Sequence, residues 1–399
     1  MAVGLKPAEK LLPVAGVRLA SCASGIRYQG RDDLVLIELA EGSQTAAVFT
    51  QNRFCAAPVV VAKRHLRQAA PNYLLINSGN ANAGTGEVGL QAALDCCKAV
   101  SNEMEKVLPF STGVIGEQLP VDRITACLPA LINDLDDDAW LLAAQAIMTT
   151  DTLAKGFSQQ LSIDGKTVTI TGIAKGAGMI RPDMATMLAF VATDAGVPQS
   201  ILQAWLTELV ADSFNSITID GDTSTNDACI LIATNASGVV VKNDDDQKSL
   251  KLAFKEVFSQ LAQSLIRDAE GATKFVCVEV KQTASQDEAK AVAYTVAHSP
   301  LVKTALFASD PNWGRILAAV GRAPLGELDL QKIDILLGDV AVITAGQPDE
   351  HYTEAKGKAV MEQDEITITI ALGRGQQSTK VWTSDLSHGY VSINADYRS

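Results

Sequence analysis

Short apolar runs alternate with helical patterns along most of the chain, which predicts an α/β protein. Compact apolar runs bounded by turn residues predict strands at residues 33–39, 45–50, 58–62, 73–77, 186–192, 216–220, 229–233 and 274–281. The C-terminal quarter adds predicted strands at residues 333–337, 365–372, 380–383 and 390–393. Apolar residues spaced three and four apart predict helices at residues 87–108, 121–128, 137–148, 200–212, 250–266 and 285–297.

Local turn and capping signals support several of these elements. Asp164-Gly165 lies between two alternating segments, and this dipeptide fits the tight turn of a β-hairpin. Ser285 and Glu288 have the spacing of a capping box at a helix start. The acidic runs at residues 136–138 and 244–246 precede predicted helices, so favourable interaction with the helix dipole explains them better than metal binding.

Composition narrows the classes of function. With 399 residues, of which 47% are apolar, the chain can build a large core in two or three domain-sized units or one α/β body. A formal charge of −13 argues against binding to nucleic acid or an anionic membrane, although one buried cation could still bind a small anionic substrate. The N-terminus lacks a secretory signal, and no apolar run reaches the ~20 residues of a membrane span.

Cysteine and histidine usage favours a cytoplasmic protein. The seven cysteines are odd in number and scattered, so we interpret them as reduced thiols rather than disulfides or zinc ligands. The four histidines have no metal-ligand spacing. A serine-histidine-aspartate hydrolase therefore has little support.

A glycine-containing loop leads into Ala185 and Thr186 and then into a predicted strand. This order suits a chain that cleaves its own Ala185–Thr186 bond and then uses the freed threonine as a nucleophile. Gly176 and Gly178 permit the unusual backbone angles of a strained peptide. The new α-amine, with an ordinary pKa of ~7.7–8.0, can accept the proton of its own hydroxyl without a histidine. Lys175 could hold a carboxylate or tune that amine.

Simpler interpretations of these motifs are also open. A threonine at a strand start usually contributes only β-branched packing. A phosphate-binding loop is disfavoured, because Gly176 and Gly178 lack the third glycine and the trailing acid of the dinucleotide fingerprint. Residues 220–231 have partial calcium-loop spacing, but Thr225 and Leu231 replace the required glycine and glutamate, which excludes that site.

The segment KGAGMIRPDMATML, residues 175–188, resembles the cleavage signature of the ornithine acetyltransferase family, the glutamate N-acetyltransferases of arginine biosynthesis. Other segments resemble the same family, are collinear and cover nearly the whole chain. They are residues 77–84 (NSGNANAG), 111–116 (STGVIG), 149–152 (TTDT), 215–227 (NSITIDGDTSTND), 267–274 (RDAEGATK), 310–315 (DPNWGR) and 394–399 (NADYRS).

The resemblance implies an α/β (α+β) sandwich like that of self-processing N-terminal-nucleophile enzymes. Cleavage would give an α chain, residues 1–185, and a β chain, residues 186–399, intertwined in one enzyme and associated as a dimer of cleaved protomers, a heterotetramer. In the implied ping-pong reaction, Thr186 takes the acetyl group of N2-acetyl-L-ornithine and passes it to L-glutamate without a cofactor. Some family members also use acetyl-CoA, and the sequence leaves that point open.

The resemblance also implies a role for individual residues. Thr186 is the nucleophile, and Thr112 and Gly113 form the oxyanion hole. The implied substrate contacts are Thr152, Lys175, Thr186, Glu270, Asn394 and Ser399.

Three positions depart from the family pattern. Asp183 stands where asparagine is frequent, which could alter the cleavage rate. Ala269 stands where glycine is more common, so the local backbone angles of the family are in doubt at this position. Ser399 replaces a frequent terminal threonine and keeps its hydroxyl.

Two other functions remain open. An N-terminal-nucleophile amidase or aminopeptidase would use water as the acceptor and release free acetate in the absence of glutamate. A non-catalytic amino-acid-binding protein would stay uncleaved and still bind ornithine or glutamate. The sequence does not decide the extent of cleavage or feedback inhibition by arginine or ornithine.

Overall fold

The computed structural model describes residues 2–181, 187–241 and 243–396, which form two compact units. The larger unit comprises Pro7–Asn215 and Asp222–Leu265, and the smaller comprises Met1–Lys6, Ser216–Gly221 and Ile266–Ser399. Four positions singled out from the sequence lie outside the described residues, namely Asp183, Ala185, Thr186 and Ser399.

The larger unit contains two stacked β-sheets. Its strands are β1 (Val17–Cys22), β2 (Leu34–Leu39), β3 (Gln44–Phe49), β4 (Tyr73–Asn80), β5 (Val107–Val114), β6 (Lys155–Ile163), β7 (Lys166–Lys175), β8 (Leu188–Thr193) and β9 (Ala228–Ala233). One sheet has the order β1-β2-β4-β5 and the other the order β3-β9-β8-β7-β6. Their facing side chains share one apolar core, in which the rings of Phe110 and Phe190 meet edge to face, 5.2 Å apart.

Helices cover the outer faces of both sheets, because each sheet also has apolar residues on that side. One helix, Trp140–Ala146, instead packs into the core between the sheets. The helices are α1 (Ala57–Gln68), α2 (Gly86–Val100), α3 (Val121–Asn133), α4 (Trp140–Ala146), α5 (Gln199–Ala211) and α6 (Asp244–Arg267), with 3₁₀ turns at Met104–Lys106 and Phe214–Ser216. Helices α2 and α3 share a core with β1, β2, β4 and β5. Helix α6 packs so closely on β7 that a Cβ at Gly172 would lie 2.9 Å from Leu261.

The smaller unit is one six-stranded sheet packed with helices. Its elements are β10 (Phe275–Thr283), α7 (Gln286–Ala297), α8 (Pro300–Phe307), α9 (Trp313–Gly321), a 3₁₀ turn (Leu330–Lys332), β11 (Asp334–Leu337), β12 (Val340–Thr344), β13 (Gln347–Pro348), α10 (Glu354–Met361), β14 (Glu365–Ala371), β15 (Gln377–Ser384) and α11 (His388–Ala395). The strand order is β13-β12-β11-β14-β10-β15. Helices α7 and α9 bury their apolar residues on this sheet.

The α/β prediction is confirmed, and so are the hairpin turn, the capping box and the acidic run at 244–246. The run at 136–138 has no such role, because the next helix begins at Trp140 with no acidic residue in its first turn, and Asp136 forms a bridge with Leu19. Asp164 and Gly165 both have positive φ, 50° and 74°, as the two-residue turn between β6 and β7 requires. Ser285 caps α7 by accepting a hydrogen bond of 3.1 Å from the Glu288 amide. Helix α6 begins at Asp244, with residues 244–246 in its first turn.

Four predicted elements differ most from the structure in type or extent. Residues 58–62 belong to helix α1, since a short apolar run does not distinguish a strand from a buried helix segment. Residues 390–393 belong to α11, whose start is capped by Ser387. The predicted helix at 87–108 ends at Val100, and β5 begins at Val107. Residues 216–220 do not form a strand. Ser216 ends a 3₁₀ turn, and Ile217 forms an isolated β-bridge with Trp382.

No helix within the described ranges is long and apolar enough to cross a membrane.

Candidate functional site

The predicted oxyanion hole lies at the end of β5, where β4 and β5 approach unusually closely. Thr112 and Gly113 are partly exposed, whereas the residues before them in β5 are buried. Gly113 has a φ of +136°, and a Cβ there would lie 2.2 Å from the carbonyl carbon of Gly79 on β4. Only glycine fits this position, because any side chain would collide with the backbone of the neighbouring strand.

Asparagine side chains hold the strands around Thr112 in place. Ser111 Oγ donates to Asn77 Oδ1 at 2.6 Å, and Asn77 Nδ2 donates to the carbonyl of Asn80 at 2.8 Å. Asn226 Nδ2 donates to the carbonyl of Ser111 at 2.9 Å. Because all these groups are buried, each hydrogen bond satisfies a polar atom and fixes the backbone on either side of residue 112. Segments 77–84 and 215–227 therefore have a structural role here.

Lys175 brings a buried positive charge to the predicted oxyanion hole. It is the last residue of β7, and its Nζ donates to Thr112 Oγ1 at 3.2 Å. A hydroxyl that accepts a hydrogen bond still has its own proton to donate. Thr112 can thus donate to an oxyanion while the lysine charge polarises its hydroxyl.

A buried ion pair lies beside Lys175. Lys155 Nζ donates to Asp151 Oδ1 at 2.6 Å, both side chains are 0% exposed, and the Gly176 amide donates to the same carboxylate at 2.7 Å. Burial alone would raise the pKa of Asp151, but the charges of Lys155 and Lys175 and these hydrogen bonds outweigh it and hold that pKa well below its ordinary value. Asp151 is therefore a fixed anion that anchors the loop after β7.

Asp227 is a second buried carboxyl, directly before β9. Burial raises its pKa to about 8, against the opposing effects of a hydrogen bond with Ser224 and the charge of Lys175. Its Oδ2 has no hydrogen-bond partner among the described residues. The next residue, Ala228, donates its amide to the carbonyl of Met187 at 3.1 Å, at the start of β8. Because burial raises its pKa to about 8, Asp227 is protonated at neutral pH.

In the smaller unit, Glu270 and Asn394 form a hydrogen-bonded pair. Asn394 Nδ2 donates to Glu270 Oε2 at 2.7 Å. The turn that carries Glu270 is fixed to α11, because Gly271 has a φ of +67° and a Cβ there would lie 2.4 Å from the Tyr390 amide nitrogen. Ala269 has no positive φ, so alanine causes no backbone strain at that position.

The structure brings some predicted site residues together within each unit. Thr112, Gly113 and Lys175 lie together in the larger unit, and Glu270 contacts Asn394 in the smaller unit. Thr152 is exposed, directly after the buried Asp151. Ala185, Thr186 and Ser399 lie outside the described residues, so their roles stay predictions.

Sequence reasoning assigned no role to several residues of this site. Three of these residues lie in family-like segments, 149–152 and 215–227. The resemblance therefore marked their positions, but it gave them no chemical role. For Lys155 no motif gave a signal. The residues are Asp151, Lys155, Asn226 and Asp227.

The cysteines are all free thiols. Burial raises the pKa of Cys96 to about 12, and it raises the pKa values of Cys97 and Cys229 as well, so these thiols stay protonated and pack as apolar groups. Across residues 2–181, 187–241 and 243–396, no three His, Cys, Asp or Glu side chains are grouped so that they could hold a metal ion.

Comparison with known proteins gives full-length matches. The model of the ArgJ family matches residues 18–399, a range that contains every predicted site residue. The chain is 55% identical over 396 residues to the arginine biosynthesis bifunctional protein ArgJ of Methylococcus capsulatus (strain ATCC 33009 / NCIMB 11132 / Bath), covering 98% of this chain and 97% of that protein. It is also 55% identical over 406 residues to the protein of the same name from Pseudomonas fluorescens (strain Pf0-1), covering 100% of both.

A solved structure agrees with these matches. The crystal structure of the arginine biosynthesis bifunctional protein ArgJ of Bacillus halodurans is 37% identical, with a TM-score of 0.50, and the match covers 53% of this chain and 99% of that chain.

Proposed function

Because the chain belongs to the ArgJ family, we propose that it is a glutamate N-acetyltransferase of arginine biosynthesis, which moves the acetyl group of N2-acetyl-L-ornithine to L-glutamate. The relatives named above carry the word bifunctional in their names. That word supports a second activity, the acetylation of glutamate from acetyl-CoA. We expect the reaction in the cytoplasm, where the seven free thiols would stay reduced.

Self-cleavage prepares the enzyme. The hydroxyl of Thr186 attacks the carbonyl of Ala185, the amide nitrogen leaves as the new α-amine, and water hydrolyses the resulting ester. The products are the chains 1–185 and 186–399, which remain together, and two cleaved protomers associate as a heterotetramer. Each new N-terminus then supplies the base for its own hydroxyl.

Acetyl transfer follows as two half-reactions. Thr186 Oγ attacks the acetyl carbonyl, its proton passes to the α-amine, and the tetrahedral oxyanion accepts hydrogen bonds from the Thr112 hydroxyl and the Gly113 amide. The α-amine passes the proton to the departing nitrogen, and ornithine leaves. The amine of glutamate then attacks the Thr186 ester, takes the acetyl group and loses a proton through the α-amine to Thr186 Oγ, which regenerates the hydroxyl. The observation that carries this proposal is the 3.2 Å contact between Lys175 Nζ and Thr112 Oγ1. It supports a polarised donor at the oxyanion, and losing one such donor typically costs about 3–4 kcal/mol.

The amino-acid part of each substrate needs groups that recognise its charges. We assign Glu270 to the substrate ammonium, because a carboxylate bound by the amide of Asn394 is held in one orientation. Thr152, Lys175 and Ser399 complete the proposed substrate contacts. No cofactor is needed, because the acetyl group stays on the protein between the two half-reactions.

Replacement of the nucleophile tests the proposal. Thr186→Ala should give one uncleaved polypeptide without transfer activity, because neither ester can form. Thr186→Ser is the matched control and should retain cleavage and measurable transfer, since it keeps the hydroxyl. Intact-mass spectrometry reports cleavage, and formation of N-acetyl-L-glutamate reports transfer.

The same assay separates the acetyltransferase from an amidase. Wild-type protein incubated with N2-acetyl-L-ornithine alone should release acetate far more slowly than it turns over with glutamate present. Transfer by Thr186→Ala, or acetate release at the full turnover rate, would contradict the proposed function.

A further inference from the structure

Asp227 is a buried carboxyl that the proposed reaction does not use. The residue is 4% exposed, and one of its two carboxyl oxygens, Oδ2, accepts no hydrogen bond from any described residue. An ionised carboxylate offers about four acceptor sites and is costly to bury without donors. A protonated carboxyl needs far less compensation. The geometry alone therefore favours a proton on Asp227.

Asp227 follows Asn226, whose Nδ2 donates at 2.9 Å to the carbonyl of Ser111, the residue before Thr112. Among the described residues, the charge that acts on Asp227 is that of Lys175. Its positive charge acts on Asp227 and also on Asp151, and its Nζ donates to Thr112 Oγ1. Asp151 is already neutralised by Lys155 Nζ at 2.6 Å and by the Gly176 amide at 2.7 Å. Ionisation of Asp227 would thus add a second negative charge that acts on Lys175, and its Oδ2 has no described donor to compensate it.

We propose that Asp227 is a positioning residue that holds a proton in the working enzyme and so keeps the ammonium of Lys175 on the hydroxyl of Thr112. When Asp227 loses that proton, its carboxylate attracts the ammonium and weakens the hydrogen bond to Thr112. The inference rests on the proposed function, because Thr112 matters here as an oxyanion donor.

The expected signature is a loss of activity at alkaline pH. Burial raises the pKa of Asp227 to about 8, so its neutral form falls to about one-tenth at pH 9. On the acid side, the rate rises as the α-amine of Thr186 loses its proton, with an ordinary pKa of ~7.7–8.0. The kcat of wild type should therefore pass through a maximum and fall by about tenfold per pH unit well above pH 8.

Asp227→Asn tests this, because asparagine has nearly the same shape and stays neutral at every pH. Its kcat at about pH 7.5 should lie within roughly threefold of wild type, and the alkaline fall should be absent. Asp194→Asn is the matched control, because Asp194 is also buried with a raised pKa. Asp194 follows the last residue of β8, whereas Asp227 precedes Ala228, which pairs with Leu188 at the start of that strand. That control should keep the wild-type profile. An Asn variant at position 227 with an unchanged alkaline fall, or with kcat reduced more than tenfold at neutral pH, would overturn the inference.

A measurement without activity keeps the test valid if Asp227→Asn does not fold. Infrared spectra of the uncleaved Thr186→Ala protein should show a protonated-carboxyl stretch at about pH 7 that falls to about half near pH 8 and to about one-tenth at pH 9. Absence of this band would refute the proton on Asp227 whatever the enzyme does. Transfer by Thr186→Ala would instead refute the proposed function and leave the band unaffected, so the two failures are distinguishable.

Discussion

Lys175 connects the groups that define the site at the scale of single residues. Its Nζ contacts the hydroxyl of Thr112, and its charge lowers the pKa of Asp151. The family-like motif singled out Lys175, Thr112 and Gly113, and the structure brings them together. Motif spacing could not identify Asp227 or Lys155, because their chemistry depends on burial, which the tertiary fold produces. The sequence thus predicted the groups proposed to touch substrate and missed the buried charges around them.

Removal of the lysine charge should impair the chemical step. Lys175→Met keeps a similar apolar stem but no longer polarises Thr112, so kcat for acetyl transfer should fall by roughly 10²-fold. Lys175→Arg keeps the charge in a different geometry and should retain more activity than the methionine variant. Steady-state rates at saturating N2-acetyl-L-ornithine and glutamate provide the measurement. Equal activity of the Met variant and wild type would exclude Lys175 from oxyanion stabilisation.

At the scale of elements, the close approach of β4 and β5 determines where the oxyanion donors lie. The strand pairing is parallel, with Gly79 opposite Gly113, and its register shifts at Asn80. The pattern predicted these strands incompletely. The first predicted strand ended at residue 77, and residues 107–108 of β5 were assigned to the preceding helix while its other residues were assigned to no element. A run of Ser, Gly and Asn resembles a loop by composition, yet buried asparagine hydrogen bonds hold it in a sheet.

Addition of one methyl group at this approach should disrupt the site. In Gly113→Ala the new Cβ would lie 2.2 Å from the Gly79 carbonyl carbon, so the strands must separate. We expect destabilisation of at least about 2 kcal/mol and loss of transfer. Gly116→Ala is the control, because Gly116 also has positive φ but has no atom within 4 Å of such a Cβ, so only about 1 kcal/mol is expected. Urea denaturation of both variants provides the comparison, and equal stabilities would contradict the steric argument.

At the scale of the whole molecule, the sequence predicted the α/β class, but it did not predict how the two expected chains share one sheet. In the order β3-β9-β8-β7-β6, strands β3, β7 and β6 precede the predicted cleavage site, while β8 and β9 follow it. Strand pairing across the sheet involves residues far apart in sequence, such as Ala46 and Leu231. Local pattern contains no information on such partners, which explains why strands were predicted and their order was not.

This interleaving predicts that cleavage will not separate the chains. Separation of residues 1–185 from 186–399 would break the β3–β9 and β7–β8 pairings and expose the fully buried strands β8 and β9. Loss of one peptide bond removes none of these contacts, so the cleaved wild type and uncleaved Thr186→Ala should elute together in size-exclusion chromatography. The two fragments should appear separately only under denaturing conditions. Hydrogen-bonded central strands with an apolar core on both faces should not exchange these contacts for contacts with solvent. Dissociation of the cleaved protein in native buffer would therefore show that the shared sheet does not hold the chains together.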